Sequence, residues 1–139
     1  MDYKIPLDVA NDEFKKICES WEIDIDIDGM DADEKVDFKG IKAKIIKTIR
    51  LGRLVFNDDQ TMTYTVSNKS DELGGKELTI KRPKGKALTA MDQFKEQAGV
   101  TKGYAFLASM ISQPIQFLNN LDGIDVKPLL ALSTLFLAD

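Results

Sequence analysis

The sequence predicts an α+β fold with N-terminal helices, a small antiparallel β-meander and a C-terminal bundle of short helices. Apolar residues recur at helical steps before residue 52, alternate with polar residues within 54–82, and return to helical spacing over 87–138. At 139 residues the chain has the length of one domain. We divide it into an acidic N-terminal helix and loop segment, residues 1–37, and an α+β core, residues 38–139.

The first predicted element is an amphipathic helix over residues 8–22. Asp8 or Asn11 is the expected N-cap. Trp21 is the one tryptophan, and its size predicts a core or docking anchor. The residues expected near the apolar face are Val9, Phe14 or Ile17, Cys18 and Trp21.

An acidic stretch follows and permits two interpretations. Isoleucines alternate with acids over residues 23–27, which predicts a strand. Asp24, Asp26 and Asp28 also match the opening of a calcium-binding EF-hand loop. The position of the closing bidentate glutamate holds Lys35, so we favour an acidic strand and a solvated loop. The three aspartates remain a candidate calcium site within residues 24–34.

A second helix is predicted over residues 32–51, with Asp33 or Asp31 as N-cap and Gly52 as its stop. Its basic residues belong to a block over residues 38–53 that contains no acid. This helix is either a DNA-binding element or one with a solvated basic face. The second interpretation is favoured because no base-reading side-chain set accompanies the lysines. The predicted apolar stripe is Phe38, Ile41, Ile45 and Ile49, and the basic residues are Lys39, Lys42, Lys44, Lys47, Arg50 and Arg53.

Three short strands then form the predicted meander, at residues 54–56, 61–66 and 77–81, with a loop over residues 68–76. A basic turn around Pro83 ends the last strand. It matches no phosphate-binding loop pattern, so we interpret it as a solvated turn. Its cations are Lys81, Arg82, Lys84 and Lys86.

The remaining sequence predicts several short helices. The first covers residues 87–98, and Thr101 is expected to cap the second. Pro114 and Pro128 are expected in the first turns of two later helices, the last capped by Asp125. From residue 103 onward only four residues are charged: Asp122, Asp125, Lys127 and Asp139. Such an apolar segment must be buried in its own core or against a partner.

Composition narrows the function classes. The chain has no histidine, the commonest general base and metal ligand, so we expect no enzyme, metal or cofactor. The single cysteine predicts no disulfide and a reducing compartment. The N-terminus lacks the pattern of a signal peptide, and no apolar run is long enough to cross a membrane. We therefore expect a cytoplasmic protein.

Residues 49–139 resemble the small tail assembly chaperones of long-tailed bacteriophages. The resemblance lies in the order of a strand, a basic proline turn, a helix and an apolar ending. Upstream of that core, residues 49–54 have the pattern I-x-x-G-R-L. The matching residues are Leu78, Ile80, Arg82, Pro83, Lys86, Ala87 and Leu88, then Leu121, Asp122, Asp125, Leu129, Leu132, Phe136 and Leu137.

The resemblance implies a non-enzymatic protein of the infected host's cytoplasm that binds the tail tape measure protein, a long helical chain with apolar stripes. An adaptable face rich in methionine and phenylalanine would suit such a partner. The same face would permit self-association. Three alternatives remain open: a nucleic-acid binder using residues 39–53 and 81–86, a calcium-binding module, and a structural virion component. The residues expected to line the partner face are Phe106, Met110, Ile111, Phe117, Leu118, Leu129 and Phe136.

Overall fold

A computed structural model of the chain describes residues 2–23, 27–92 and 99–137. Helices cover the two ends of the chain and a small sheet lies between them, so the predicted α+β class is confirmed. The elements are α1 Leu7–Ser20, α2 Ala32–Arg50, β1 Leu54–Phe56, β2 Met62–Thr65, β3 Glu77–Ile80, α3 Gly85–Asp92, α4 Gly99–Ile111, α5 Ile115–Asn119 and α6 Gly123–Leu137. Short 3₁₀ helices cover Ile27–Gly29 and Asn68–Leu73.

Helix α1 packs its apolar face against α2. Its buried residues include Ala10 and Phe14, whereas Val9 is 48% exposed, so the predicted place of Val9 on the buried face was wrong. Pro6 occupies the N-cap position without a side-chain hydrogen bond, and neither predicted capping residue has that role. Trp21 is buried and its Nε1–H donates to the Gln60 carbonyl at 2.8 Å, which makes it part of the core.

Helix α2 has the predicted cap, stripe and stop. The Asp31 carboxylate accepts a hydrogen bond from the Glu34 amide at 2.8 Å and so satisfies one donor of the first turn. Ile45 and Ile49 are buried on its inner face. Gly52 follows with φ +76°, a left-handed conformation that glycine adopts without steric cost. The expected boundary after residue 37 lies inside this helix.

The sheet is an antiparallel meander in the order β1-β2-β3. Tyr64 pairs with Leu54 on one side and Leu78 on the other, and all three side chains are buried. Between β2 and β3 the chain forms the 3₁₀ helix Asn68–Leu73 where the sequence predicted a loop. This segment is kinked at Ser70 and Asp71, whose φ and ψ are not helical, and it places Ser70 beside α6.

The C-terminal helices begin differently from the prediction. Thr101 lies inside α4, and Pro114 is the N-cap of α5. Asp122 caps α6, since its Oδ1 accepts the Ile124 amide at 2.9 Å. Asp125 lies within α6 and is fully buried, so its predicted role as a cap was wrong. Pro128 also lies within this helix, beyond its first turn.

One hydrophobic core joins the elements. Buried residues of α1, α2, the sheet, α4, α5 and α6 belong to a single cluster. Helix α6 packs against α2 and α4, and α4 also contacts β3. Within the described residues, no helix combines the length and the apolar content needed to cross a bilayer.

Candidate partner-binding surface

The seven residues predicted to line a partner face lie inside the protein or at its edge. Six are buried, and Phe136 is partly buried. The Phe136 ring packs edge-on against Trp21, with 6.0 Å between ring centroids, and lies 6.4 Å from Phe106. All seven side chains belong to the single hydrophobic core or pack against it, and α6 contacts α2 and α4 there. The buried residues are Phe106, Met110, Ile111, Phe117, Leu118 and Leu129.

An open apolar groove lies instead between the N-terminal segment and α2. We call it the α1–α2 groove; its volume is about 360 Å³. Four side chains supply its apolar surface, and two of them, Tyr3 and Leu7, are 42% and 52% exposed. The apolar lining is Tyr3, Leu7, Ala43 and Ile46, and the basic lining is Lys39, Lys42, Lys47 and Arg50.

Arg50 holds one end of this groove in place. Its carbonyl accepts the amides of Lys4 and Ile5 at 2.8 and 3.1 Å, and its Nε–H donates to the Ile5 carbonyl at 3.2 Å. The guanidinium carbon lies 4.0 Å from the centroid of the Tyr3 ring, a cation–π contact. The N-terminal segment is therefore tied to the end of α2, and Tyr3 forms a wall whose position is set by Arg50.

The other cations form the rim of the groove. Lys42 extends over the Phe14 ring, with Nζ 5.5 Å from the ring centroid. This cation–π contact joins α2 to α1. Lys39 and Lys47 are exposed. No acidic residue appears among the described residues that line the groove. A ligand here would meet an apolar floor and positive charge.

Leu7 is one of the groove residues that sequence reasoning missed, with Tyr3, Ala43 and Ile46. It precedes Ala10 by three positions and Phe14 by seven, so helical periodicity places it on the buried stripe of α1. The structure leaves half of its surface exposed, where it lines the groove together with Ala43 and Ile46 of α2. A residue that stays exposed although it lies on the apolar stripe of its helix indicates such a groove. This exposure can be recognised only when the position of the neighbouring helix is known.

A second polar constellation surrounds the buried carboxylate of Asp125. Its Oδ1 accepts the Tyr64 hydroxyl at 2.5 Å and the Ser67 amide at 2.9 Å. Its Oδ2 accepts the hydroxyls of Ser67 and Ser70 at 2.7 and 2.6 Å. The Ser70 oxygen in turn accepts the Asp122 amide at 2.8 Å. These contacts join β2, the 3₁₀ helix and the start of α6.

The hydrogen bonds decide the ionisation state of this cluster. Burial alone would raise the pKa of Asp125, but the donors Ser70, Tyr64 and Ser67 outweigh it and hold that pKa below its ordinary value. Burial, followed by the hydrogen bond to Asp125 and the charge of that carboxylate, raises the pKa of Tyr64 far above its ordinary value. The cluster thus contains an ionised carboxylate and a neutral phenol at neutral pH. It has no opening to solvent at Asp125, so we assign it a structural role.

The calcium candidate lies mostly outside the described residues. Asp24 and Asp26 are not described, and Asp28 is exposed within the 3₁₀ helix Ile27–Gly29. No group of three or more possible metal ligands occurs among the residues that the structure does describe.

The basic turn after β3 is a separate surface. Its four cations are exposed, and together with Ser109 and Ser112 they line a small cleft of about 100 Å³. The Lys81 amide donates to the Met110 carbonyl at 3.0 Å, which fixes the turn to the end of α4. The two basic segments, residues 39–53 and 81–86, therefore lie on different elements of the fold.

Comparison with protein-family models, curated proteins and solved structures gives no match to this chain.

Proposed function

We propose that this protein is a non-enzymatic phage tail assembly chaperone that binds an apolar helical partner, the tape measure protein, and keeps it soluble. The observation that carries the proposal is the α1–α2 groove, which is open, apolar at its floor and basic at its rim. The resemblance of residues 49–139 to tail assembly chaperones supplies the identity of the partner. The host cytoplasm is the compartment where this assembly would take place.

The groove suits the stripe of an amphipathic helix. A helix that lies in a groove inserts apolar residues from one or two turns and leaves its polar face in solvent. Leu7 and Ile46 would contact that stripe, while Lys39 and Lys47 would face acidic residues beside it. The lysine stems add apolar contact around the edge of the groove.

A small groove also suits temporary binding. Interfaces that bury less than about 1,200 Å² are typical of transient complexes. A chaperone must release its partner when the tube subunits assemble around it, so moderate affinity is useful here. Repetition of the stripe along a long partner would allow many chaperone molecules to bind one chain.

Co-expression with the tape measure protein tests this proposal. We expect the partner to remain soluble and to co-purify with the wild-type protein. Leu7→Asp should abolish co-purification because it places a charge on the apolar lining. The same change at Val9 is the matched control, since Val9 is 48% exposed on the same helix but does not line the groove. An aspartate in the first turn of α1 is compatible with the helix at both positions.

Equal loss of binding by Leu7→Asp and Val9→Asp would contradict the groove assignment. An insoluble partner in the presence of folded wild-type protein would contradict the chaperone function itself. Circular dichroism of both variants establishes that they fold.

Nucleic-acid binding is the second candidate, favoured by the exposed lysines of α2. Binding through phosphates weakens steeply as salt rises, because each contact releases counterions. A fluorescent duplex titrated at about 50 mM salt distinguishes the two functions. The chaperone proposal expects no binding, whereas a steep salt dependence removed by Lys39→Glu would favour nucleic acid.

A further inference from the structure

A second cleft lies on the other side of α2, where its last turns meet the start of α6. We call it the basic cleft; its volume is about 390 Å³. Its apolar surface includes Ile124, which is 47% exposed. None of the described residues that line it is acidic. They are Lys44, Lys47, Thr48, Leu51, Arg53, Ile124, Lys127 and Pro128.

The composition of the basic cleft specifies its ligand chemistry. Four cations line the cleft beside an apolar patch, so a complementary occupant offers anionic groups together with an aliphatic side chain. Lys44, Lys47 and Lys127 are exposed, and α6 adds Ile124 at the rim. The cleft therefore differs from the α1–α2 groove, with which it shares only Lys47.

The complementary surface lies at the opposite end of the same helix. Val36 is 69% exposed, more than Leu7 or Ile124. Asp33 and Asp37 flank it at positions three before and one after, which places all three on one side of α2. A Cβ added at Gly40, one turn further, would meet nothing within 4 Å, so this side of the helix is open. We call Asp33, Val36 and Asp37 the acidic end.

One copy of the protein cannot pair these two surfaces with each other. The acidic end lies near the start of α2, and the cleft lies where the last turns of α2 meet α6. A helix rises about 1.5 Å per residue, so Asp37 and Lys44, the nearest acid and cation of the two surfaces, are about 10 Å apart along the axis. A carboxylate and an ammonium must approach to about 4 Å to form an ion pair. Within one molecule the acidic end is therefore confined to its own part of α2, and the cleft, including Arg53 and Lys127 outside α2, is left to an occupant from another molecule.

We propose that the acidic end of one molecule docks into the basic cleft of a second copy. Val36 inserts beside Ile124, and Asp33 and Asp37 meet Lys44 and Lys127. The two surfaces are different, so each docked molecule presents a free acidic end or a free cleft to the next. Head-to-tail contacts of this kind generate rings or open chains.

This association is expected to be weak and dependent on salt. One helix end in one cleft buries less area than a stable dimer needs. Exposed charges are screened over about 10 Å at 0.1 M salt. Association should therefore appear at high protein concentration in about 20 mM salt and disappear in about 500 mM salt.

Sedimentation velocity on two charge-reversed variants tests the proposal. The cleft variant is Lys44→Glu/Lys127→Glu, and the end variant is Asp33→Lys/Asp37→Lys. Each alone should remain monomeric up to about 1 mM protein, because it presents surfaces of like charge. An equimolar mixture should associate again, since each variant restores a complementary pair with the other. Lys15→Glu/Lys69→Glu changes the net charge as the cleft variant does, and it should associate like the wild type.

Any one of three results would overturn the proposal. The first is a wild type that remains monomeric at low salt and high concentration, and the second is a mixture that fails to associate. The third is a Lys15/Lys69 control that loses association as the cleft variant does. A monomeric wild type that binds polyglutamate or single-stranded DNA through Lys44 and Lys127 would assign the cleft to another anionic partner. Folding of every variant is checked by circular dichroism. Because Lys44 and Lys127 lie outside the α1–α2 groove, co-expression with the tape measure protein is unaffected by this outcome.

Discussion

Replacement of Asp125 by asparagine should remove much of the stability of this fold. Four hydrogen bonds end on the Asp125 carboxylate, and the residue is 0% exposed. A hydrogen bond to a charged group contributes about 1 kcal/mol more than one between neutral groups. The asparagine amide can still accept at one position and donate to the serine oxygens at the other. We therefore expect a loss of about 2–4 kcal/mol, against a total of about 5–15 kcal/mol for a domain.

Urea unfolding followed by tryptophan fluorescence measures this loss. Trp21 is the only tryptophan and is buried, so its emission reports the transition. Asp122→Asn is the matched control, because Asp122 is exposed and asparagine is an equally good N-cap. It should change the free energy of unfolding by less than about 0.5 kcal/mol. Equal losses in the two variants would refute our account of the buried cluster.

The pH dependence of the stability difference between the wild type and Asp125→Asn gives a second check. The pKa of Asp125 is lowered in the folded protein, and that of an unfolded aspartate is about 3.9. The stability that this ionised group contributes is therefore fully present above the unfolded value and is lost as pH falls through the folded pKa. The difference between wild type and Asp125→Asn should be constant above about pH 5 and shrink below about pH 4. A difference that grows as pH falls would contradict the sign.

Three further predictions concern Gly52 after the end of α2, Gly40 within it, and the calcium candidate. Gly52→Ala should destabilise the protein by about 1 kcal/mol or more, because φ is +76° and the new Cβ would lie 3.2 Å from the Lys4 side chain. Gly40→Ala, in open space within the helix, should stabilise it by about 0.5–1 kcal/mol, and thermal denaturation of both variants compares them. Calorimetric titration with calcium should give no heat of specific binding, since Lys35 occupies the position of the closing glutamate. Saturable binding that is lost in Asp28→Asn would restore the calcium interpretation.

The parts of the fold that follow from local pattern were predictable. The stripe from Phe38 to Ile49 specifies one face of α2, and Asp31 specifies its start through its own hydrogen bond. The alternation of residues in β2 specifies which side chains face the core. Each of these signals lies within about one turn or one strand of the residue that it concerns.

The role of Asp125 could not be predicted in this way. Asp125 follows Gly123 by two positions and stands just before an apolar helical run, which is the usual signature of an N-cap. Its actual partners are Tyr64, Ser67 and Ser70, more than 50 positions earlier in the chain. Only the tertiary fold, which places the start of α6 beside Tyr64 and the segment from Ser67 to Ser70, brings them together. The nearby Asp122 takes the cap instead.

The prediction that these apolar residues line an exposed partner face was wrong for a related reason. Apolar helical sequence predicts burial but does not specify what covers it, and Phe117 and Leu129 are covered by their own fold. Aspartate at either position would disrupt the core and so cannot separate binding from folding. The exposed groove residues Tyr3 and Leu7 lie in the N-terminal segment, outside the range of the family resemblance.

Photo-crosslinking tests most directly whether the α1–α2 groove holds a helical partner. A photoreactive benzoyl-phenylalanine replaces Ala43, which is exposed and lines the groove, or Ala32, which is exposed at the start of α2. Each protein is co-expressed with the tape measure protein and irradiated. We predict a crosslink to the partner from position 43 and none from position 32. A complex that crosslinks from position 32 alone, or equally from both positions, would contradict the account.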